Sequence, residues 1–426
     1  MISFFKRLRK DRRGNVLAIA CACMPLIIGC CGLATDTIEW TLWKRQLQRA
    51  ADSAAIAGVY DRENASGSTS NTSNAVSRDL SINNHVWMSL MTGYPQVTYP
   101  SDSGAAVDQV NVVLKIQQSL PFSSLFMSSA PIIQASATAA SISTGTPCAL
   151  ALNSTGTAMN YSGNATVNAP TCILYSDSAS ANSASAGGSS AVTAQSIAAV
   201  GGIQQSNNFN VQSYIPYSPT IPDPFSSITP DTTQMHCTAS ALSDSTNLSS
   251  LGTTNCFSSL SVGSNKTLNL NGSSLDGKTV YINGGGVDLK GAFTCTCTIV
   301  MTNTSSSSTA TIGSYTSNAQ ATNNITAPMT GTFAGIAVYQ DRRATGNTDK
   351  INGGSNSVIS GAVYFPKDTL QINGSGTATS LCAMWVANNI TFLGNSSIAI
   401  SSPNDTACSG KEPSTGTAVK MVRLVA

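Results

Sequence analysis

At 426 residues the chain has room for two or three domains. Only 10% of it is charged and its formal net charge is +2, with a cluster of positive residues at the start, so the remainder is nearly neutral and excludes a basic nucleic-acid surface. Ser, Thr, Asn and Gly abound beyond Tyr60, yet β-branched and aromatic residues recur at strand-like spacing, which favours folded β structure over disorder.

The first thirteen residues carry Lys6, Arg7, Arg9, Lys10, Arg12 and Arg13 against Asp11 alone. Residues 14–35 follow without a charge, their apolar body being Val16, Leu17, Ile19, Pro25, Leu26, Ile27, Ile28 and Leu33. At ~1.5 Å per residue this run covers roughly 30 Å, the hydrocarbon thickness of a bilayer. It has no polar face, and a membrane helix tolerates a mid-run Pro25. The positive-inside rule predicts residues 1–13 in the cytoplasm, a transmembrane anchor at 14–35 and the rest of the chain across the membrane. A cleaved signal peptide is the rival reading. Its apolar region usually runs ~7–15 residues, shorter than here, although Gly32-Leu33-Ala34 has the look of a cleavage site.

Over residues 36–60 the spacing predicts an amphipathic helix continuing the anchor. Trp40, Trp43, Leu47, Ala50, Ala54 and Ala57 repeat at three and four, a narrow seam, while Lys44, Arg45, Gln48, Arg49 and Asp52 fall elsewhere. The seam packs either on the chain's own next domain or on another protein. Trp40 and Trp43 stand just past the membrane edge, where aromatic rings prefer to sit.

The ordered pattern of the basic cluster, Arg12-Arg13-Gly14-Asn15, an apolar run with Pro25, Gly32-Leu33-Ala34-Thr35-Asp36, Arg45-Gln46-Leu47-Gln48 and Ala50-Ala51-Asp52-Ser53-Ala54-Ala55 resembles the N-terminal region of TadG-like proteins of the bacterial Tad (tight adherence, Flp-type) pilus-assembly systems. The resemblance covers residues 7–60. It implies a single-pass protein of the bacterial inner membrane, with a periplasmic body and with other pilus-assembly proteins as partners. Prepilins are cut after a glycine and carry Glu at the fifth mature position. Counted from Gly14 that position is Ile19. Pilins keep that costly intramembrane Glu for pairing during assembly, so its absence argues against incorporation into a filament and leaves processing after Gly14 open.

Residues 61–145 read as a small α+β membrane-proximal unit. Glu63–Asn74 is a polar linker. Val76, Leu80, Trp87, Leu90 and Met91 have helical spacing, whereas Val110, Val112, Leu114 and Ile116, then Ile133, Ala135, Ala137 and Ala139, alternate as strands. Packed on the seam, this unit would be pilin-like by fold-level analogy.

Residues 146–426 read as an all-β body. Asn-Gly pairs at 271, 283, 352 and 373 separate short apolar runs, and Gly335-Ile-Ala-Val-Tyr339 is echoed by Gly361-Ala-Val-Tyr364, 26 residues on. A repeat of 20–26 residues favours a parallel β-helix. A β-sandwich with hairpins at the Asn-Gly sites is the alternative. Val419–Val425 is a last strand. Cys21, Cys23, Cys30 and Cys31 read as small apolar packing residues of the anchor. The eight distal cysteines, an even number in an exported segment, point to disulfides: Cys148–Cys172, Cys237–Cys256 and Cys382–Cys408, with Cys295 and Cys297 on one strand face and free to bond neighbouring strands.

Little in the sequence points to catalysis. Gly272-Ser-Ser-Leu-Asp-Gly277-Lys278-Thr279 fits the phosphate-loop pattern, but a strand-like Val280-Tyr281-Ile282 follows where the chemistry needs a helix. His85 and His236 form no zinc spacing, and Asp177-Ser-Ala179-Ser-Ala181 lacks the serines of a D-x-S-x-S metal site. Asp341, Asp349 and Asp368 with Arg342, Arg343 and Lys350 are the one charged gathering, read as a solvated turn. The expectation is a non-enzymatic pilus component with no catalytic residue, cofactor or metal. The alternative is a tethered β-helix that adheres to, or acts on, a surface polysaccharide.

Overall fold

From Asn15 to Asn64 the chain is one helix, α1, with Pro25 inside it. Good helix formers run unbroken from Lys44 to Ala51, and the helix ends where Gly67, at φ +85°, returns its amide to the Arg62 carbonyl. In this computed structural model residues 15–83, 89–318, 320–352, 357–373, 377–402 and 418–425 are described. Two units emerge, Met1–Ile142 with Val422–Ala426, and Ser143–Met421.

The first unit sets helices on a four-stranded sheet. Helix α2 (Thr72–Asn83) follows α1 after the non-helical residues 65–71, so the expected linker Glu63–Asn74 is the turn between the two helices, with its two ends taken into them. Strands β1 (Gln96–Thr98), β2 (Ala106–Gln117) and β3 (Ile132–Gly145) pair antiparallel in that order. Val110, Val112, Leu114 and Ile116 of β2 and Ile133, Ala135 and Ala139 of β3 alternate inward and pack with Leu47, Ala51, Ala54, Ala55, Val59, Val76 and Leu80. A methyl added at Gly58 would stand 2.9 Å from Val110, so this glycine sets how closely α1 approaches the sheet. Two expectations fail here. The helical spacing from Val76 does not run on to Leu90 and Met91: α2 is described to Asn83, Leu90 bridges Ile116, and Met91 donates to the Lys115 carbonyl at 2.8 Å. Pairing to a strand edge overrides the local period there, while His85 and Trp87 lie outside the described residues. The strand Val419–Val425, expected to close the distal body, joins the sheet edge beside β3 instead.

The second unit is all β, built on a large sheet whose named pairings are parallel. Ile215, Ala198, Tyr175, Leu150, Val386, Tyr364, Tyr339, Val300, Tyr281 and Cys256 are register partners in succession. This column forms one apolar cluster. Their chain neighbours Ile197, Leu174, Ala149, Trp385, Val363, Val338 and Ile299 face the other way, into the main core. The echo seen in the sequence is therefore a register: Val338 opposes Val363 and Tyr339 opposes Tyr364. The Asn-Gly sites at 271 and 283 do not close hairpins; the flanking strands Thr267–Asn269 and Thr279–Asn283 pair parallel with Ala292–Thr296 and Thr298–Thr302.

Chain order and stacking order differ. The first strands of this unit, from Pro147 onward, stack on the late strand Thr377–Phe392. The chain then returns along the column as a strap, 216–236, irregular but for a turn at 224–227 and a 3-10 helix at Thr232–Gln234. Tyr175 donates to the Pro219 carbonyl, Tyr364 to Asp223 at 2.6 Å and Tyr339 to the Ile228 carbonyl at 2.8 Å, while Asn255 pairs with the backbone at Gln234 and His236. Ile221 and Phe225 of the strap are buried over the column. Cys148–Cys172 and Cys237–Cys256 stand at disulfide distance as expected. Cys295 pairs with Cys297 rather than with neighbouring strands. Cys408 lies outside the described residues.

Candidate functional site at the exit of the apolar helix

From Ile19 onward α1 is long and apolar enough to cross a membrane by length and composition. Ile19, Leu26, Ile27, Ile28 and Leu33 are each more than half exposed, and Pro25 is exposed with them. Val16 and Leu17 lie in the first turn, and the basic residues Lys6 to Arg13 lie outside the described residues. Cys21, Cys23, Cys30 and Cys31 are exposed on the helix surface, where they meet no protein core. The hydroxyls of Thr35, Thr37 and Thr41 return to carbonyls four residues back, at 3.0, 2.7 and 2.7 Å. These three hydroxyls are thereby satisfied without water.

The helix is gripped where the apolar run ends. Asp36, 3% exposed, accepts from the Phe122 amide at 2.9 Å, from the Ser123 amide at 2.5 Å and from the Ser123 hydroxyl. One turn back, a Cβ at Gly32 would overlap the Phe122 ring, so the ring lies directly on the helix backbone. Both partners belong to the β2–β3 connection, whose short 3-10 turn is Ser123–Leu125. Beyond it α1 turns its face to the sheet. Lys44 donates to the Gln134 carbonyl and Gln48 to the Ser136 carbonyl at 2.9 Å. Leu47, Ala50 and Ala54 are buried, Trp43 and Ala57 are half-buried, and Trp40 is 42% exposed. Farther out, Arg62 bridges Asp108 at 3.2 Å and donates to the Gln109 carbonyl.

Nothing in the sequence reading singled out Asp36 as a tie or the connection from Gln118 to Pro131 as a partner. A visible signal was there: no charge occurs in that stretch, which contains Phe122, Leu125, Phe126 and Met127.

The charged gathering of the second unit does not stay together. Asp341 is bound by Arg343 at 2.7 Å and Thr302 at 2.6 Å. Burial would raise this carboxyl, but those partners outweigh it and hold it below the usual range. Asp349 and Asp368 are fully buried and joined through the Gln340 amide; Asp349 also accepts from the Tyr315 amide at 2.6 Å, and Asp368 from the Asn347 amide at 2.9 Å. Burial first, then the neighbouring Asp368, pushes Asp349 up to about 8. Arg342 turns to the strap and lies over the Tyr364 ring, while Lys350 is exposed. The expected solvated turn is thus a set of buried ties, because the parallel strand pairing draws the aspartates inside. Asp177 likewise accepts from the Ile221 amide, and burial raises it to about 7. Lys278 leads into the strand Thr279–Asn283, not into a helix. Among the described residues no three His, Cys, Asp or Glu side chains gather closely enough to hold a metal.

Residues 14–62, nearly the whole of α1, match the family model Tad, described as putative Flp pilus-assembly TadE/G-like. No curated protein and no solved structure matches the chain.

Proposed function

We propose that this protein is a membrane-anchored, non-enzymatic component of Tad or Flp-type pilus assembly. The observation that carries this reading is the coincidence of the pilus-assembly match with α1, whose exposed apolar stretch leads directly into a helix-on-sheet unit. In this reading residues 14–35 span the inner membrane, with the basic residues Lys6 to Arg13 retained in the cytoplasm. The 36–60 stretch is an amphipathic extension docked on its own sheet, and its half-exposed Trp40 marks the outer interface. The distal unit stands in the periplasm as a parallel β-helix, a reading supported by the ten-residue parallel column and by its disulfide-distance cysteines. Other assembly proteins are its partners. Deleting the gene is expected to abolish surface pili, with recovery by the wild-type chain but not by a chain carrying Ile27→Arg and Ile28→Arg. Undiminished pili in the deletion strain would overturn the reading, as would sugar release from surface polysaccharide by the purified full chain.

A further inference from the structure

We propose that the β2–β3 connection is a second membrane contact, a monotopic foot that inserts Leu125, Phe126 and Met127 into the outer leaflet beside the exit of α1. This rests on the reading of residues 14–35 as a membrane span. Leu125 and Phe126 are 73% and 77% exposed and Met127 is 49% exposed, three large apolar side chains in a row. Soluble surfaces seldom leave such contiguous apolar groups in water.

Their place in the fold names the occupant. Asp36 holds the Phe122 and Ser123 amides, and the Phe122 ring lies on Gly32, roughly 6 Å back along the helix at ~1.5 Å per residue. The foot is therefore tied at the mouth of the span and reaches beside its last turn. The Phe126 ring is 5.3 Å from that of Phe122, which continues the apolar surface outward from the helix.

The backbone of the turn suits the same setting. Ser124, Leu125, Phe126 and Met127 donate their amides to the Leu120, Phe122, Ser123 and Ser123 carbonyls at 2.9 to 3.1 Å, and the Ser124 hydroxyl donates to the Pro121 carbonyl. Internally paired amides and the lack of charge from Ile116 to Ile133 lower the cost of leaving water. A helix held at one point can rotate and tilt. A foot beside it fixes the orientation of the sheet relative to the membrane plane.

The test uses the full chain in nanodiscs of phosphatidylethanolamine and phosphatidylglycerol, with a photoreactive benzoylphenylalanine placed singly at Phe126, Ile27 or Tyr217. Lipid adducts are expected at positions 126 and 27 and not at 217, which is exposed in the distal unit. Gly32→Leu, which displaces the Phe122 ring, is expected to cut the adduct at 126 and leave that at 27 unchanged. Adducts at 27 with none at 126, or a protein adduct at 126, would overturn the foot and leave the anchor standing. No adduct at 27 would overturn the anchor reading itself.

Discussion

Burial makes Asp349 costly to ionise. Burial raises its carboxyl to about 8 from 3.8, so between those values the unfolded chain releases a proton that the folded chain keeps. Stability from this group is therefore full below about pH 4 and declines as pH rises to about 8. Asp177 has the same sign over a narrower window, ending near 7. Asp341 has the opposite sign, because its lowered carboxyl stabilises the fold above about pH 4 and loses that contribution on acidification. We expect Asp349→Asn to match the wild type at pH 5 more closely than at pH 8, where the variant gains, read from denaturation midpoints of the detergent-solubilised chain. An unchanged wild-type-to-variant gap would contradict the assignment. Tyr364 ties the strap to the column through Asp223, and a hydrogen bond to a charged acceptor contributes about 1.5–3 kcal/mol, less where water reaches it. Tyr364→Phe should cost up to that amount in the same measurement.

At the scale of elements, α1 is held by small residues that permit close approach. Gly58→Leu would force a side chain against Val110 and cost about 1–3 kcal/mol by overpacking, whereas Leu47→Ala removes buried volume worth about 2–5 kcal/mol. Both are checked by chemical denaturation of the full chain; changes within noise would contradict the packing described. Reduction of Cys148–Cys172, which closes 24 residues, is expected to destabilise the distal unit by about 3 kcal/mol. Much of this level was legible in the sequence. Uncharged length marked the apolar helix, alternation marked β2 and β3, and the repeated Ala-Val-Tyr words marked register partners. What was not legible depended on contacts between distant residues. Leu90 and Met91 keep a helical spacing yet bond to β2, the aspartates look solvated until stacking buries them, and Asp36 looks like a boundary charge until Ser123 meets it. Nothing local announces that Val419–Val425 joins the first sheet, because a short apolar strand serves equally at either end.

The whole molecule is read as an anchor, a helix-on-sheet unit and a stacked β body on one chain. In that account the apolar exposure of Ile19 to Leu33 is a lipid surface, and the disulfide-distance cysteines of the body stand outside the cytosol. The most direct measurement is protease treatment of spheroplasts followed by fractionation of the untagged full chain. The account predicts that the chain stays with carbonate-washed membranes and that the distal unit is digested from outside while cytosolic markers survive. A full-length chain recovered soluble from the cytosol, with Cys148, Cys172, Cys237 and Cys256 as free thiols, would contradict it.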